Sequence, residues 1–334
     1  MFSTATLLDL PAFSCAHATD ASAATGCTVV VAHEGATCGV DVRGGGPATR
    51  ETDLLKPENM IERVHAVVIS GGSAFGLASA CGAMDVLSAR KIGFELGGAH
   101  VPIVTGACLF DLLVGEEGVV SSSDRYVKLG AEAATRALEQ GTCGLAEGNV
   151  GAGCGATVGK MLLPEQAMKS GLGVHGVRVG DLVTCAIVAV NAIGQVRDAQ
   201  GSWIAGCNEE GRVLDPLEVM AKRAQLAAAQ QTDAGAGAAP CANTTLGIVV
   251  TNAALTKAQA TKVSSTTHDA YARAIKPVHT SNDGDTIFTF ASGEVPSDTD
   301  TVAIMATEAM QLAIVRALTC ADAAYGLPCA RDFA

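Results

Sequence analysis

The sequence predicts a mixed fold of strands and helices, α+β or α/β. Short β-branched runs recur along the chain, longer Ala- and Leu-rich segments carry helical composition, and the two kinds do not alternate strictly. The expected strands, in order, are residues 28–32, 67–70, 183–190, 246–251 and 286–290, each dense in Val, Ile, Thr or Phe. The expected helices are 74–90, rich in Ala, Leu and Met; 216–230, which opens on Pro216 where a helix first turn accepts proline; and the longer 256–275 and 300–319. Residues 171–176, Gly-Leu-Gly-Val-His-Gly, read as a turn. Residues 230–243 are small, polar and Gly/Ala-rich, a tether by composition that ends where the strand beginning near Thr245 starts. No internal repeat is visible.

Composition narrows the function. At 334 residues, 49% hydrophobic and 17% charged, the chain is too apolar for disorder and long enough to bury a sizeable core. A net charge of −12 argues against a nucleic-acid partner and against an anionic membrane surface, both of which call for a basic face. Twelve cysteines contain no C-x-x-C pair, so they read as buried thiols in a reducing compartment. The first residues carry no basic segment followed by a long apolar one, and apolar runs such as 182–190 are short for a bilayer, so the cytoplasm is expected.

Several motifs fail on inspection. Gly71-Gly-Ser-Ala-Phe-Gly76 has Phe75 where a nucleophile elbow needs its last glycine. Residues 155–160 have Cys154 where a phosphate loop needs its first glycine and Met161 where it needs Ser or Thr. Residues 171–176 match the dinucleotide fingerprint, but a strand follows where a helix is required. The seven histidines lack metal-ligand spacing, and His33, His65 and His268 read as packed or surface residues. No metal and no cofactor is expected.

One constellation can carry chemistry. Asn243-Thr244 stands between the tether and a strand. A threonine hydroxyl needs a base, and a chain break before Thr244 would supply one in its own α-amine, which titrates near neutrality. Without a break, the pair is an ordinary strand entry. Asp283-Gly284-Asp285 sets two carboxylates around a turn, either to orient a reacting group or as plain turn polarity. Lys160 closes a glycine-rich stretch, buried with a shifted pKa or exposed. Asn191 ends an apolar strand, as an oxyanion donor or a turn former.

Taken together, residues 39–53, 70–77, 148–160, 190–192, 243–245 and 279–288, in that order, resemble the DmpA-type family of self-cleaving N-terminal-nucleophile hydrolases. That family includes an L-aminopeptidase/D-esterase, β-peptidyl aminopeptidases and nylon-oligomer endohydrolases. The resemblance covers nearly the whole chain. It implies an α+β, four-layer αββα sandwich in a single hydrolase domain, 1–334, cut into an α subunit, 1–243, and a β subunit, 244–334. It also implies a homo-oligomer, a tetramer of such α/β heterodimers, acting on a small peptide or amide. In the nylon-oligomer branch the cut falls between Asn and Thr, matching Asn243 and Thr244 here. The matching catalytic positions are Thr244, Asn191, Lys160, Asp283 and Asp285. The threonine nucleophile and the first aspartate of Asp-Gly-Asp are similar to the nylon-type branch, whereas peptidase relatives carry serine at both. A tyrosine near the substrate in some relatives has only Tyr126, out of register, as a counterpart. The alternative from another class is acyl transfer, because ornithine acetyltransferases share a similar fold and an N-terminal threonine.

Overall fold

The computed structural model describes residues 2–116, 122–142, 145–229 and 243–333. The tether expected at 230–243 lies outside the described residues except for Asn243.

Ten strands form the main sheet: β1 (Ser3–Ala5), β2 (Phe13–Asp20), β3 (Thr25–Val42), β4 (Ala48–Arg50), β5 (Val64–Ser70), β6 (Val104–Cys108), β7 (Leu172–Val179), β8 (Leu182–Asn191), β9 (Thr244–Ala254) and β10 (Thr286–Pro296). Their spatial order is β1-β7-β8-β9-β10-β3-β5-β6-β4, with β2 also paired to β3. β8 and β9 are antiparallel, and β9 and β10 parallel. β3 is long enough to serve two neighbourhoods. Its first half pairs with β2 and β5, its second half pairs with β10, and its register against β5 breaks between Val31 and Ala36. Such an irregularity bends a strand and turns it toward a new partner.

Side chains alternate along these strands, as the period of two requires. From β8, Val183, Cys185, Ile187 and Ala189 join one apolar cluster, while Ala186, Val188 and Val190 join another. The first cluster also takes Val30, Val67 and Ile69 from β3 and β5, and Phe288 and Phe290 from β10. The second receives helices α5 (Lys257–Ala274) and α6 (Thr299–Thr319). A third gathers Cys27, Val29, Val31, Ala66 and Val68 against α2 (Ser79–Ala89) and α3 (Ser123–Gln140). Each fully buried Val, Leu, Ile or Phe contributes about 1.5–3 kcal/mol, so all three clusters matter to stability.

The expected strands lie inside the observed ones. Three expectations need correction. Residues 74–90 form two helices, α1 (Ser73–Gly76) and α2, because the Phe75 and Ala78 amides bond three residues back, to Gly72 and Phe75, and tighten the turn. Residues 171–176 are not a turn, since 172–176 belong to strand β7, paired along its length with β8. Its glycine at 173 makes room for a neighbour: a Cβ there would lie 2.0 Å from the Ala313 carbonyl oxygen of α6. Finally, among the described residues one helix, α6, is long and apolar enough by length and composition to cross a membrane; its buried residues pack into the cluster shared with β8 and β9. The remaining helix, α4 (Pro216–Ala229), starts at Pro216 as expected. The ten described cysteines are free thiols, eight of them buried.

Candidate active site

Strand register brings the sequence candidates together. Asn191, the last residue of β8, is the Cα partner of Thr244, the first residue of β9. Both are buried. One residue earlier, Asn243 bridges to Asp283 in parallel fashion, and its carbonyl oxygen accepts the Gly284 N–H at 3.2 Å. The Thr244 hydroxyl also donates to that carbonyl. The nucleophile candidate and the carbonyl of the preceding peptide are therefore in direct contact, with a backbone donor already on the carbonyl oxygen.

The two carboxylates of the Asp-Gly-Asp turn are both buried. Asp285 takes the Thr245 N–H on Oδ1 at 2.7 Å, and on Oδ2 the His279 backbone N–H at 3.1 Å and the His279 Nδ1 at 2.9 Å. Asp283 Oδ2 takes the Thr280 N–H and hydroxyl, both at 2.7 Å. Desolvation raises the Asp283 pKa above the usual carboxylate range, and the neighbouring Asp285 pushes it the same way. Residues 43–46 clasp this turn from outside: the Arg43 N–H reaches the Asp285 carbonyl at 2.9 Å and the Gly46 N–H the Asp283 carbonyl at 2.8 Å. The glycine run of the 39–53 block thus supports the carboxylates through its backbone.

Lys160 is partly buried. Its Nζ donates to the Asn191 Oδ1 at 2.6 Å and to the Asn191 carbonyl at 3.2 Å. Desolvation brings its pKa down to about 7, against opposing attraction from Asp283 and Asp111. Asn191 Oδ1 further accepts the Thr157 N–H at 3.1 Å, while its Nδ2 donates to the Phe110 carbonyl at 2.9 Å. The segment carrying Thr157 and Lys160 is pinned by buried Lys169, whose Nζ reaches the carbonyls of Gly153 and Ala156 at 3.1 and 3.0 Å. Among the described residues, no group of three or more His, Cys, Asp or Glu is placed to hold a metal ion.

The family model of peptidase family S58 matches residues 6–328. This chain belongs to peptidase family S58. It is a hydrolase acting on amide bonds. An uncharacterised aminopeptidase of Mycobacterium leprae is 39% identical over 277 residues, 81% of this chain and 72% of the relative. A 6-aminohexanoate-oligomer endohydrolase of Paenarthrobacter ureafaciens is 28% identical over 295 residues, 86% of this chain and 75% of the relative. Among solved structures, a Burkholderia beta-aminopeptidase superposes with a TM-score of 0.63 at 18% identity, covering 95% of this chain and 86% of that one. The L-aminopeptidase D-Ala-esterase/amidase of Ochrobactrum anthropi, described as a variant of the Ntn hydrolase fold, gives 0.60 at 15% identity with the same coverage. The S58 chain therefore has a mixed αβ fold similar to those of these two solved structures.

Sequence reasoning named Thr244, Asn191, Lys160, Asp283 and Asp285, and in this S58 chain they adjoin one another. It missed His279 and Thr157, each bonded to a named residue. The signal for Thr157 was its place in the 148–160 block; His279 opened the 279–288 block, unremarked. Tyr126 sits on α3, buried against Gly72, its hydroxyl 3.5 Å from the Thr25 Oγ1. Beside it, Asp111 accepts the Thr25 hydroxyl at 2.7 Å and the Gly72 N–H at 2.8 Å, and burial lifts its pKa to about 6.

Proposed function

We propose that this protein is a self-processing N-terminal threonine hydrolase that acts on small peptides or ω-amino-acid oligomers. The observation that carries the reading is the contact of the Thr244 hydroxyl with the Asn243 carbonyl, whose oxygen also receives the Gly284 N–H. In the first step Thr244 Oγ1 bonds to the Asn243 carbonyl carbon. The carbon–nitrogen bond breaks, the nitrogen gains a proton and an ester remains. Water then hydrolyses the ester, leaving an Asn243 carboxylate and a Thr244 α-amine.

The Thr244 nitrogen is an amide before this cut and cannot serve as base, so a neighbour must. Lys160, with its pKa near 7, is fractionally neutral at pH 7 and suits that task. In the mature enzyme the Thr244 α-amine takes the hydroxyl proton as Thr244 attacks the substrate carbonyl. Lys160, when charged, disfavours protonation of that amine. Asn191 assists the oxyanion, and Asp283 and Asp285 orient Thr244. Water completes the cycle by hydrolysing the acyl-threonine.

Segments 1–243 and 244–334 are then the two subunits of one hydrolase domain. The three apolar clusters support an αββα sandwich, with α5 and α6 outside one sheet face and α2 and α3 outside the other. Exposed Met60, Leu96 and Leu113 suit burial in a homo-oligomer, proposed as a tetramer. The nylon-oligomer activity of one relative and the aminopeptidase naming of another define the substrate panel: aminoacyl anilides and aminohexanoate oligomers. Release of free acid with water alone supports hydrolysis. Product formation only with an added amine acceptor would replace it with acyl transfer.

A further inference from the structure

We propose that His279 is a positioning residue for Thr244, acting through Asp285. The inference rests on the reading of Thr244 as nucleophile and goes beyond it. Asp285 grips the amide that follows Thr244, the Thr245 N–H, with Oδ1. Its other oxygen, Oδ2, is held by His279 twice, through the backbone N–H and through Nδ1. The chain of contact runs from the imidazole to the carboxylate to the amide that fixes the head of β9.

Two further observations separate His279 from a packing residue. Its φ is +56°, a left-handed conformation that is costly for a residue with a Cβ. In that conformation its ring and its own backbone N–H reach the same carboxylate oxygen. Strain of this sort persists only where the surroundings over-determine it. The second observation is hydrogen placement. A carboxylate only accepts, so Nδ1 must carry the hydrogen. Nε2 is buried and has no hydrogen-bond partner in the structure, so Nδ1 is the ring atom through which His279 acts. His268 and Tyr271 pack against the ring at centroid distances of 4.7 and 6.0 Å and hold its plane. His268 is kept neutral by burial, with its pKa down to about 4.

Side-chain chemistry gives a clean test. Asparagine tolerates a left-handed backbone and places an amide donor where Nδ1 stands; glycine tolerates the backbone better still and offers no donor. His279→Asn, His279→Gly and His279→Ala are made in the full chain, with Thr244→Ala as a control. Fragment formation is followed by intact mass, kcat and KM are measured on a panel amide, and folding is checked by circular dichroism. We expect His279→Gly and His279→Ala to slow fragment formation and kcat on the order of 10²-fold with little change in KM. His279→Asn should recover most of that loss. A glycine variant equal to wild type would reduce His279 to a backbone conformation, and an asparagine variant as slow as alanine would reduce it to ring packing; either result overturns the proposal. An active, processed Thr244→Ala would instead overturn the nucleophile assignment, independently of how the His279 variants rank.

Discussion

Asn191 and Thr244 face each other as Cα partners at the end of the antiparallel β8–β9 ladder. The amide side chain that ties down Lys160 therefore stands opposite the hydroxyl that touches the Asn243 carbonyl. Backbone hydrogen bonds fix this relation, which makes it insensitive to side-chain motion. A one-residue slip of β9 would turn Thr244 to the other face of the sheet and end the arrangement.

The wild-type protein is expected as two fragments, residues 1–243 and 244–334, and Thr244→Ala as one chain. Intact mass after expression and long incubation decides the matter. Active protein of full-length mass only would sink the processing scheme.

Asn191→Ala removes the side chain that Lys160 and Thr157 both hold. Processing and turnover should each slow by roughly 10²–10³, the range for losing an oxyanion donor. Following fragment formation and amide hydrolysis in the same samples tests this. Wild-type rates in both would remove Asn191 from the mechanism.

Processing should accelerate with rising pH and level off above about 7, because Lys160 loses its proton there and becomes a base. Lys160→Arg stays charged throughout that range. It should process slowly at every pH, without an inflection near 7. A retained inflection in the arginine variant would assign it to another group.

Gly284→Ala tests the crowding at the nucleophile. A Cβ at this position would lie 2.6 Å from the Thr244 Oγ1 and 3.0 Å from the Gly46 carbonyl oxygen. The hydroxyl must move, so processing should fall on the order of 10²-fold in a protein that still folds. Unchanged fragment formation would show that the Thr244 hydroxyl has more freedom than this contact implies.

Asp111 gives a stability prediction. Its pKa is raised from an ordinary 3.8 to about 6 by burial, so the folded state is favoured while the group is protonated. That contribution is complete below about pH 3.8 and is lost as pH rises through about 6. Asp111→Asn, which stays neutral, should stabilise the protein at pH 8 by on the order of 2–3 kcal/mol and hardly at pH 4. Denaturant melts at the two pH values compare directly, and an equal effect at both would refute the electrostatic account.

Much of the site was legible because its polar residues interrupt patterns. Asn191 ends a largely apolar strand, and Asp283 and Asp285 flank a glycine directly before another strand. The bond from His279 to Asp285 was not legible, since nothing in the five intervening residues says that the chain doubles back through a left-handed turn. Helix α3 was overlooked for a different reason. Its buried face is largely alanine, at positions 133, 134 and 137, and so gives a weak periodic signal although Tyr126 and Leu129 share it. Strand β7 was hidden by its glycines, of which Gly173 makes room for α6 and Gly176 for Cys185 and the Ala5 backbone. The second half of β3 was hidden by Gly39 and Asp41, which interrupt its apolar run.

The sheet order carries a last consequence. Residues 244–334 contribute β9 and β10 side by side, and these lie between β8 and β3 of the preceding segment. With the backbone cut before Thr244, as the proposal has it, each outer edge of that strand pair would stay hydrogen-bonded to the other fragment. Unfolding then becomes a dissociation: the midpoint of a melt should rise with protein concentration, as it does for any complex of two chains. Refolding becomes second order, and it begins from fragments that no longer share the covalent link under which they first came together.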